Sequence, residues 1–357
     1  MRVCILGNGL SSLTLAKALV NQKIYVDLFQ YKKKLSSSKD RTLGISKSNV
    51  DFFNIEILNI SKLLWNLKKI EIFSDNLMHQ KLINFENNNN YLFSIVRNYE
   101  LMKIIQKSFK GNKYIKKTST FKNLNYSMYD LVINTECNNL TSKKYFSKKI
   151  IKKYNSRAYT ALIEHDKISN DTATQIFTKR GPLAFLPLSE TETSIVYSIH
   201  NSKYEEKVNF NDLINFYNSK YKMKKISKIS QFELNSLTLR SYHHKNILAF
   251  GDLLHRIHPL AGQGFNMTIR DISTLLKIIK SKITLGLPLD KSVNIEFEKK
   301  TKHKNMIFSN GIDFVHEFFN LERKTKNSIL SKSIQVLGKN SSVNKIFKRI
   351  ADEGINF

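Results

Sequence analysis

The sequence is poor in cysteine and in acidic residues, and it lacks any long apolar run. Its 357 residues include two cysteines, Cys4 and Cys137, which exclude a disulfide framework and a cysteine-based metal site. No stretch approaches the roughly 20 apolar residues that cross a bilayer, so we expect no membrane-spanning helix. The 29 acidic residues stand against 58 Lys and Arg, a formal net charge of +29.

Two interpretations of this charge stay open. A strongly basic protein typically binds nucleic acid or an anionic membrane surface. Because Lys, Asn and Ile are abundant throughout, including the four Asn at 87–90, a genome rich in A and T would produce the same excess. The motifs below lead us to expect no nucleic-acid partner.

Length and composition predict a globular protein with more than one domain. A chain of 357 residues exceeds what one compact core usually accommodates. Hydrophobic residues at 41% and aromatic residues at 11% supply a core that a disordered chain would lack.

The N-terminal segment predicts a strand, a tight turn and a helix. Residues 3–6 are apolar, and Gly7 and Gly9 follow at the first two positions of a dinucleotide-binding fingerprint, where glycine lets the backbone approach a pyrophosphate. Ser12 stands at the third glycine position, and Gln30 stands where an acid usually binds the ribose hydroxyls. An ordinary strand-to-helix turn is the alternative.

A second strand-to-helix turn lies far downstream. Residues 246–250 predict a buried strand that leads into Gly251 and Asp252, and Gly262 and Gly264 precede a helical run. This arrangement offers a second helix N-terminus to an anion or a carbonyl. Asp252 is well placed to hold a sugar or ribityl hydroxyl.

Residues 251–271 carry the specific signal, because they read GDLLHRIHPLAGQGFNMTIRD. They resemble the flavin-binding motif of the class A flavoprotein monooxygenases, the para-hydroxybenzoate hydroxylase superfamily, and in detail that of the ubiquinone-biosynthesis hydroxylases. Those proteins carry G-D-x-x-H-x-x-H-P-x-A-G-Q-G-x-N-x-x-x-x-D, which this segment matches at every fixed position. A turn without a ligand is the alternative.

The resemblance implies a role for each motif residue. Asp252, after Gly251, is expected to bind the ribityl chain of FAD, and Pro259 to lie against the isoalloxazine edge. The backbone amides of Gly262, Gln263 and Gly264 are expected to stabilise negative charge on the reduced flavin. The side chain of Asn266 is expected to order the loop.

The resemblance extends from about residue 1 to about residue 290. It implies that Arg41 reaches the FAD phosphates or ribose and that Asn98 lies near the cofactor; a solvated arginine and a helix cap are the alternatives. Residues 172–188 and 194–197 resemble the strands that run over the flavin face; plain sheet core is the alternative.

His255 and His258 could form a metal pair, but no Cys, Asp or Glu follows at ligand spacing. We therefore predict no metal site. His258 and Asn266 are expected close to the flavin ring, but neither is assigned as a base, and no catalytic residue is predicted.

The chain departs from the family pattern after the strand at 130–134. Thr135, Glu136 and Cys137 stand where the family has alanine, aspartate and glycine, a segment that serves FAD and the nicotinamide cofactor. Together with Gln30 and Ser12, this departure is expected to affect the use of NAD(P)H more than the binding of FAD.

The resemblance implies an α/β fold with a Rossmann-like FAD-binding domain, interleaved with a mixed β-sheet substrate domain, plus C-terminal helices. The predicted ranges are 1–60, 95–150 and 236–290 for the FAD-binding domain, 61–94 and 151–235 for the substrate domain, and 291–357 for the C-terminal helical region. That last region either packs on the core or lies on anionic lipid as a basic amphipathic helix.

The implied function is an FAD-dependent monooxygenase that uses dioxygen, and NAD(P)H or a partner reductase, to hydroxylate a polyprenylated phenol in ubiquinone biosynthesis. We expect a cytoplasmic protein, peripheral on the inner membrane face. A catalytically weak flavin-binding scaffold subunit of a ubiquinone-assembly complex is one alternative. A halogenase or reductase of the same fold is another, although Trp65 is the only tryptophan and halogenases are expected to show a tryptophan-rich segment.

Overall fold

The computed structural model describes residues 1–30, 40–77, 80–87, 90–119, 125–200, 210–258, 262–325 and 329–354. Within these ranges the chain forms a mixed α/β fold, as predicted. The strands are β1 (Arg2–Leu6), β2 (Tyr25–Phe29), β3 (Thr42–Ser46), β4 (Trp65–Leu67), β5 (Lys69–Ser74), β6 (Lys81–Glu86), β7 (Phe93–Arg97), β8 (Ile115–Thr118), β9 (Leu131–Asn134), β10 (Lys149–His165), β11 (Thr172–Thr178), β12 (Gly181–Pro187), β13 (Glu192–His200), β14 (Met223–Ile226), β15 (Ser230–Leu239), β16 (His243–His244), β17 (Ile247–Ala249) and β18 (His255–Arg256). The helices are α1 (Leu10–Asn21), α2 (Lys47–Phe52), α3 (Asn98–Lys107), α4 (Leu140–Tyr145), α5 (Phe210–Tyr217), α6 (Gln263–Thr284), α7 (Lys291–Thr325), α8 (Ile329–Lys339) and α9 (Ser341–Glu353).

The first sheet is Rossmann-like. Its strand order is β16-β17-β9-β1-β2-β8, and every pair except β16-β17 is parallel. Strand β1 lies inside it, and Val3, Cys4, Ile5 and Leu6 are at most 1% exposed, as expected of a parallel strand covered on both faces. Helix α1 connects β1 to its neighbour β2.

The carboxyl ends of the parallel strands bring the predicted turns together. Strand β1 is followed by Gly7, β2 by Gln30, β9 by Thr135 and β17 by Phe250. In open α/β sheets, ligands bind at this edge. A surface hollow of about 390 Å³, lined by Arg2 and Tyr25 among others, lies where the strands begin, and it is therefore separate from both turns.

A nine-stranded sheet and a three-stranded sheet complete the fold. The larger has the order β18-β15-β10-β13-β12-β11-β5-β6, with β14 paired to β10, and the smaller has the order β3-β7-β4. The two are joined by the hydroxyls of Thr42 and Ser194, 2.9 Å apart, and by an ion pair of 2.7 Å between Arg97 and Glu192.

The C-terminal region is helical, as predicted. Helices α7 and α8 place Ile312, Phe319 and Ile334 against Leu82 and Phe177 of the nine-stranded sheet. No helix among the described residues is long and apolar enough to cross a membrane.

The domain division stays a prediction. The strands of the first sheet all fall within 1–60, 95–150 and 236–290. The nine-stranded sheet follows the predicted bounds less closely, because β10 begins at Lys149 and β18 lies within 236–290.

Candidate cofactor site

The turn after β1 leaves backbone amides available. Gly7 has a φ of +143°, a conformation that a side chain rarely adopts, and a Cβ there would overlap Thr135 Oγ1. Helix α1 begins after its N-cap Gly9, with no side-chain cap and no acid in its first turn. The first amides of a helix lack partners within it and carry partial positive charge. This turn therefore suits a diphosphate.

Ser12, at the third fingerprint position, is buried against the end of β9. Its hydroxyl donates to the Gly9 carbonyl (3.0 Å) and lies 3.4 Å from Thr135 Oγ1, which donates to the Leu6 carbonyl (3.0 Å). Two departures from the family pattern, Ser12 and Thr135, are thus in contact. The sequence carries no sign of this contact, because the two residues are 123 positions apart.

The next two residues join the end of β9 to the downstream turn. An oxygen of the Glu136 carboxylate lies 3.4 Å from the Asn8 amide nitrogen, which donates to it. The Cys137 thiol donates to the Asp252 carbonyl over 3.4 Å. Burial raises the pKa of Glu136; the hydrogen bond from the Asn8 amide lowers it by less, and the Asp252 carboxylate raises it further. The carboxylates of Glu136 and Asp252 therefore share one region of the strand edge.

The downstream turn is tightly packed on one side and open on the other. Gly262 has a φ of +63° and is the N-cap of α6, which has no side-chain cap. A Cβ on Gly262 would lie 3.3 Å from the Gly44 nitrogen, whereas a Cβ on Gly264, like one on Gly9, would meet no atom of the described residues within 4 Å. Both helix N-termini therefore have open space beside a glycine.

Asn266 holds the N-terminus of α6 against β3. Its side-chain oxygen accepts from the Ser46 amide (3.0 Å) and from Asn49 Nδ2 (3.1 Å). Its side-chain nitrogen donates to the carbonyls of Gly44 (3.1 Å) and Gly262 (3.4 Å). Asn266 is completely buried, so these bonds are shielded from water.

His258 points into a cluster of rings between β10 and α7. Its ring centroid lies 4.9 Å from that of Tyr154 and 4.5 Å from that of His316. The residue is 1% exposed, and neither ring nitrogen has a partner among the described residues. Burial, and next to it His316, lower the pKa of His258 to about 3. The imidazole is therefore neutral near pH 7 and does not donate a proton there.

His255 has a separate structural role. Its Nε2 lies 2.5 Å from Asp271 Oδ2, and both residues are buried. Asp271 also accepts from Asn305 of α7 over 3.0 Å. These contacts tie β18, α6 and α7 together.

The structure describes three of the four remaining predicted site residues. Asn98 is the first residue of α3, whose N-cap is Arg97 without a side-chain bond, so the alternative of a capping role for Asn98 is wrong. Its amide donates to the Arg41 carbonyl over 3.0 Å, while the Arg41 side chain is exposed. Gln30 is partly buried at the end of β2. Pro259 lies outside the described residues.

Helix α9 makes a contact with this region that the sequence did not predict. The Asp352 carboxylate at the end of α9 accepts from the Ser48 amide (2.8 Å), and its carbonyl accepts from the Ser46 hydroxyl (2.9 Å). Gln263 Nε2 donates to the Ala351 carbonyl over 3.2 Å. Helix α9 therefore borders the N-terminus of α6.

The chain is similar in sequence to a known domain family and to curated proteins. Residues 164–284 match the family described as FAD binding domain. Ubiquinone biosynthesis monooxygenase COQ6, mitochondrial, of Danio rerio is 25% identical over 208 residues, 46% of this chain and 43% of that protein. The 3-demethoxyubiquinol 3-hydroxylase of Escherichia coli (strain K12) is 26% identical over 156 residues, 42% of this chain and 40% of that protein.

The resemblance to the class A flavoprotein monooxygenases is confirmed. The matched part of the chain spans about half, or less, of the length of these curated relatives.

Solved structures of class A monooxygenases share the fold. p-Nitrophenol 4-monooxygenase PnpA from Pseudomonas putida DLL-E4 has a TM-score of 0.78 at 11% identity, over 97% of this chain and 96% of that one. Klebsiella pneumoniae HpxO, complexed with FAD and uric acid, has a TM-score of 0.65 at 13% identity, over 99% of this chain and 93% of that one.

The two turns fit the FAD of this family. Two helix N-termini suit a diphosphate and a flavin ring that gains negative charge on reduction, because neither has a side-chain cap and no described atom lies within 4 Å of a Cβ on Gly9 or Gly264. The exposed Asp252 is available to ribityl hydroxyls. The assignment of individual residues to FAD stays a prediction.

Asp252→Ala should lose most of the bound flavin, whereas the wild-type protein should be yellow. Loss of hydrogen bonds to a charged group costs about 1.5–3 kcal/mol, or roughly 10- to 100-fold in Kd. Quenching of flavin fluorescence measures this Kd. Asp166→Ala, which removes another exposed carboxylate, is the control and should bind FAD like wild type. Equal Kd values for the two variants would contradict the role of Asp252.

Asn266→Leu should lower the free energy of unfolding by about 3 kcal/mol, because buried backbone groups of β3 and α6 lose their partners. Denaturant unfolding of the FAD-free protein measures this change. Asn294 is equally buried, and its amide nitrogen donates to the Lys245 carbonyl over 3.2 Å. Asn294→Leu should therefore cost about 1 kcal/mol, and an equal cost for both variants would argue against the role of Asn266.

Proposed function

We propose that this chain is an FAD-dependent monooxygenase that hydroxylates the aromatic ring of a polyprenylated phenol in ubiquinone biosynthesis. The observation that carries the proposal is the pair of helix N-termini at α1 and α6, neither with a side-chain cap. Asp252 follows Gly251, where a Cβ would lie 2.7 Å from Ser11 of α1. The relatives named ubiquinone biosynthesis monooxygenase and 3-demethoxyubiquinol 3-hydroxylase support the substrate class.

In this proposal the cofactor carries the redox chemistry, because reduced FAD activates dioxygen for transfer of one oxygen atom to an electron-rich ring. The residues of the chain bind and orient. The amides at the start of α1 hold the diphosphate, and Asp252 accepts hydrogen bonds from ribityl hydroxyls. The amides of Gly262, Gln263 and Gly264 stabilise negative charge on the flavin ring. Asn266 fixes these amides against β3.

No side chain is assigned as a general acid or base. His258 stays neutral near pH 7, since its pKa is lowered to about 3. It packs between Tyr154 and His316, so its proposed role is to shape the boundary of the site through ring packing.

The electron donor in this proposal is NAD(P)H, used directly or through a partner reductase. Glu136 and Cys137 replace the residues that serve the nicotinamide cofactor in the family. The same departure favours the second candidate function, a flavin-binding scaffold subunit of a ubiquinone-assembly complex with little activity of its own.

Turnover of a polyprenylated phenol tests the function. Purified protein with FAD, NADPH and oxygen should add one oxygen atom to the ring, which mass spectrometry detects. A parallel sample is reduced with dithionite without oxygen, freed of excess dithionite and then given substrate and oxygen. Product in that sample alone would indicate that a partner reductase is needed.

Product in neither sample, from protein that holds FAD, would contradict the monooxygenase and favour the scaffold. The Asp252→Ala variant is the control, because product at the wild-type level from that variant would point to chemistry outside this site.

Peripheral attachment to an anionic membrane is the second part of the proposal. It is supported by the net charge of +29 and by an apolar face of α9 on which Ile346, Phe347 and Ile350 are 57%, 38% and 37% exposed. Lys345 and Arg349 lie beside that face in the sequence. Such a helix binds by burying its apolar side and by attraction to anionic lipid.

Sedimentation with vesicles tests the attachment. The protein should sediment with anionic vesicles at low salt and less at high salt, since each basic residue near the surface contributes about 1 kcal/mol and is screened. The variant Ile346→Ser, Phe347→Ser, Ile350→Ser should bind at least about tenfold more weakly. Phe216→Ser, which removes an exposed ring from α5, should bind like wild type. Equal binding to neutral vesicles, or none to either, would leave genome composition as the origin of the charge.

A further inference from the structure

Glu136 has no task in the proposed function, yet its side chain lies at the first turn. Its Oε1 is 3.4 Å from the Asn8 amide nitrogen and would be 3.1 Å from a Cβ on Gly7. Its own amide donates to Asn134 Oδ1 over 3.2 Å, and its carbonyl accepts from the Ser142 hydroxyl of α4. The backbone is therefore held on both sides, and the carboxylate lies at the turn that suits a diphosphate.

Among the described residues, few groups near Glu136 compensate its charge. The turn after β1 offers the Asn8 amide, and α1 has no charged residue in its first turn. The segment after β17 contributes another carboxylate, Asp252. Arg256 of β18 is a nearby cation, because its guanidinium donates to Cys137 Sγ over 3.4 Å and to Asn235 over 3.0 Å. No ion pair joins it to the Glu136 carboxylate within the described part of the chain.

A diphosphate on the same turn would bring further negative charge against two carboxylates in a partly buried place. Repulsion of this kind favours protonation of the carboxylate that is harder to solvate. Burial opposes charge on Glu136 and raises its pKa, whereas Asp252 is exposed. Of the two, Glu136 is the group that would take the proton.

We propose that the Glu136 carboxylate competes with the FAD diphosphate for the amide of Asn8, so that FAD binds together with one proton taken up by Glu136. The proton comes from solvent, and no covalent bond in the cofactor changes. The inference rests on the FAD binding of the proposed function. It makes Glu136 a determinant of cofactor affinity.

The sign of the effect follows from linkage. The complex holds more protons than the free protein, so the affinity for FAD rises as the pH falls. Above the pKa of Glu136 in the free protein, the Kd should increase by up to about tenfold per pH unit.

Calorimetric titration of the FAD-free protein with FAD, in two buffers of different ionisation enthalpy, counts the protons taken up. Fluorescence quenching measures the Kd from about pH 6 to about pH 9. The wild-type protein should take up as much as one proton per FAD and bind more weakly at high pH. Glu136→Gln should take up none, show a flat profile and bind at least about tenfold more tightly than wild type at the upper pH. Glu190→Gln, at an exposed ion pair with Lys167, should behave like wild type.

Proton uptake that persists in Glu136→Gln, or a wild-type Kd that does not depend on pH, would overturn the inference and leave FAD binding standing. Failure of every variant to bind FAD at any pH would overturn the proposed function as well. If Glu136→Gln does not fold, Glu136→Asp decides, since its carboxylate is one methylene further from the Asn8 amide. A weaker pH dependence in that variant supports the competition, and an unchanged one contradicts it.

Discussion

The candidate site depends on the four hydrogen bonds of one buried side chain, Asn266. It accepts from the amide of Ser46 and from Asn49, and it donates to the carbonyls of Gly44 and Gly262. A side-chain amide has two donors and one acceptor oxygen, and here each side of it bonds to partners of the right kind. Because a buried group without its partner costs free energy, strand β3 and the start of α6 keep one relative position.

Other parts of the molecule connect through the same place. Thr42, at the start of β3, contacts Ser194 of the nine-stranded sheet. Asp352 of α9 bonds to Ser46, the last residue of β3, and to Ser48 in α2. One strand therefore links the first sheet, through α6, to the sheet predicted to cover the substrate and to the C-terminal helices. A change in any of these contacts would therefore alter the position of the amides at the start of α6.

The features that the sequence predicted correctly are those that depend on residues close together in the chain. The apolar run before Gly7, the helical spacing after Gly9 and the strand before Gly251 follow from local periodicity, and β1, α1 and β17 confirm them. A dense motif likewise identified the start of α6. What could not be predicted depends on register between distant strands.

Glu136 is the clearest example of this limit. In the sequence it is a longer carboxylate in place of an aspartate, and its effect was expected on the nicotinamide cofactor. Its contact with Asn8 joins residues 128 positions apart, and it arises because β1 and β9 are parallel neighbours whose ends coincide. Asn98 shows the same limit at short range, since a residue one position from a helix cap cannot be told from the cap itself by pattern alone.

The most direct test of this account is a crystal structure of the protein with FAD bound. We expect the diphosphate on the amides at the start of α1, with Glu136 turned away or hydrogen-bonded to a phosphate oxygen through its proton. We expect the isoalloxazine ring beside Gly262 and Gly264, at the N-terminus of α6. FAD bound away from the carboxyl edge of the first sheet, or with its ring distant from α6, would contradict the account.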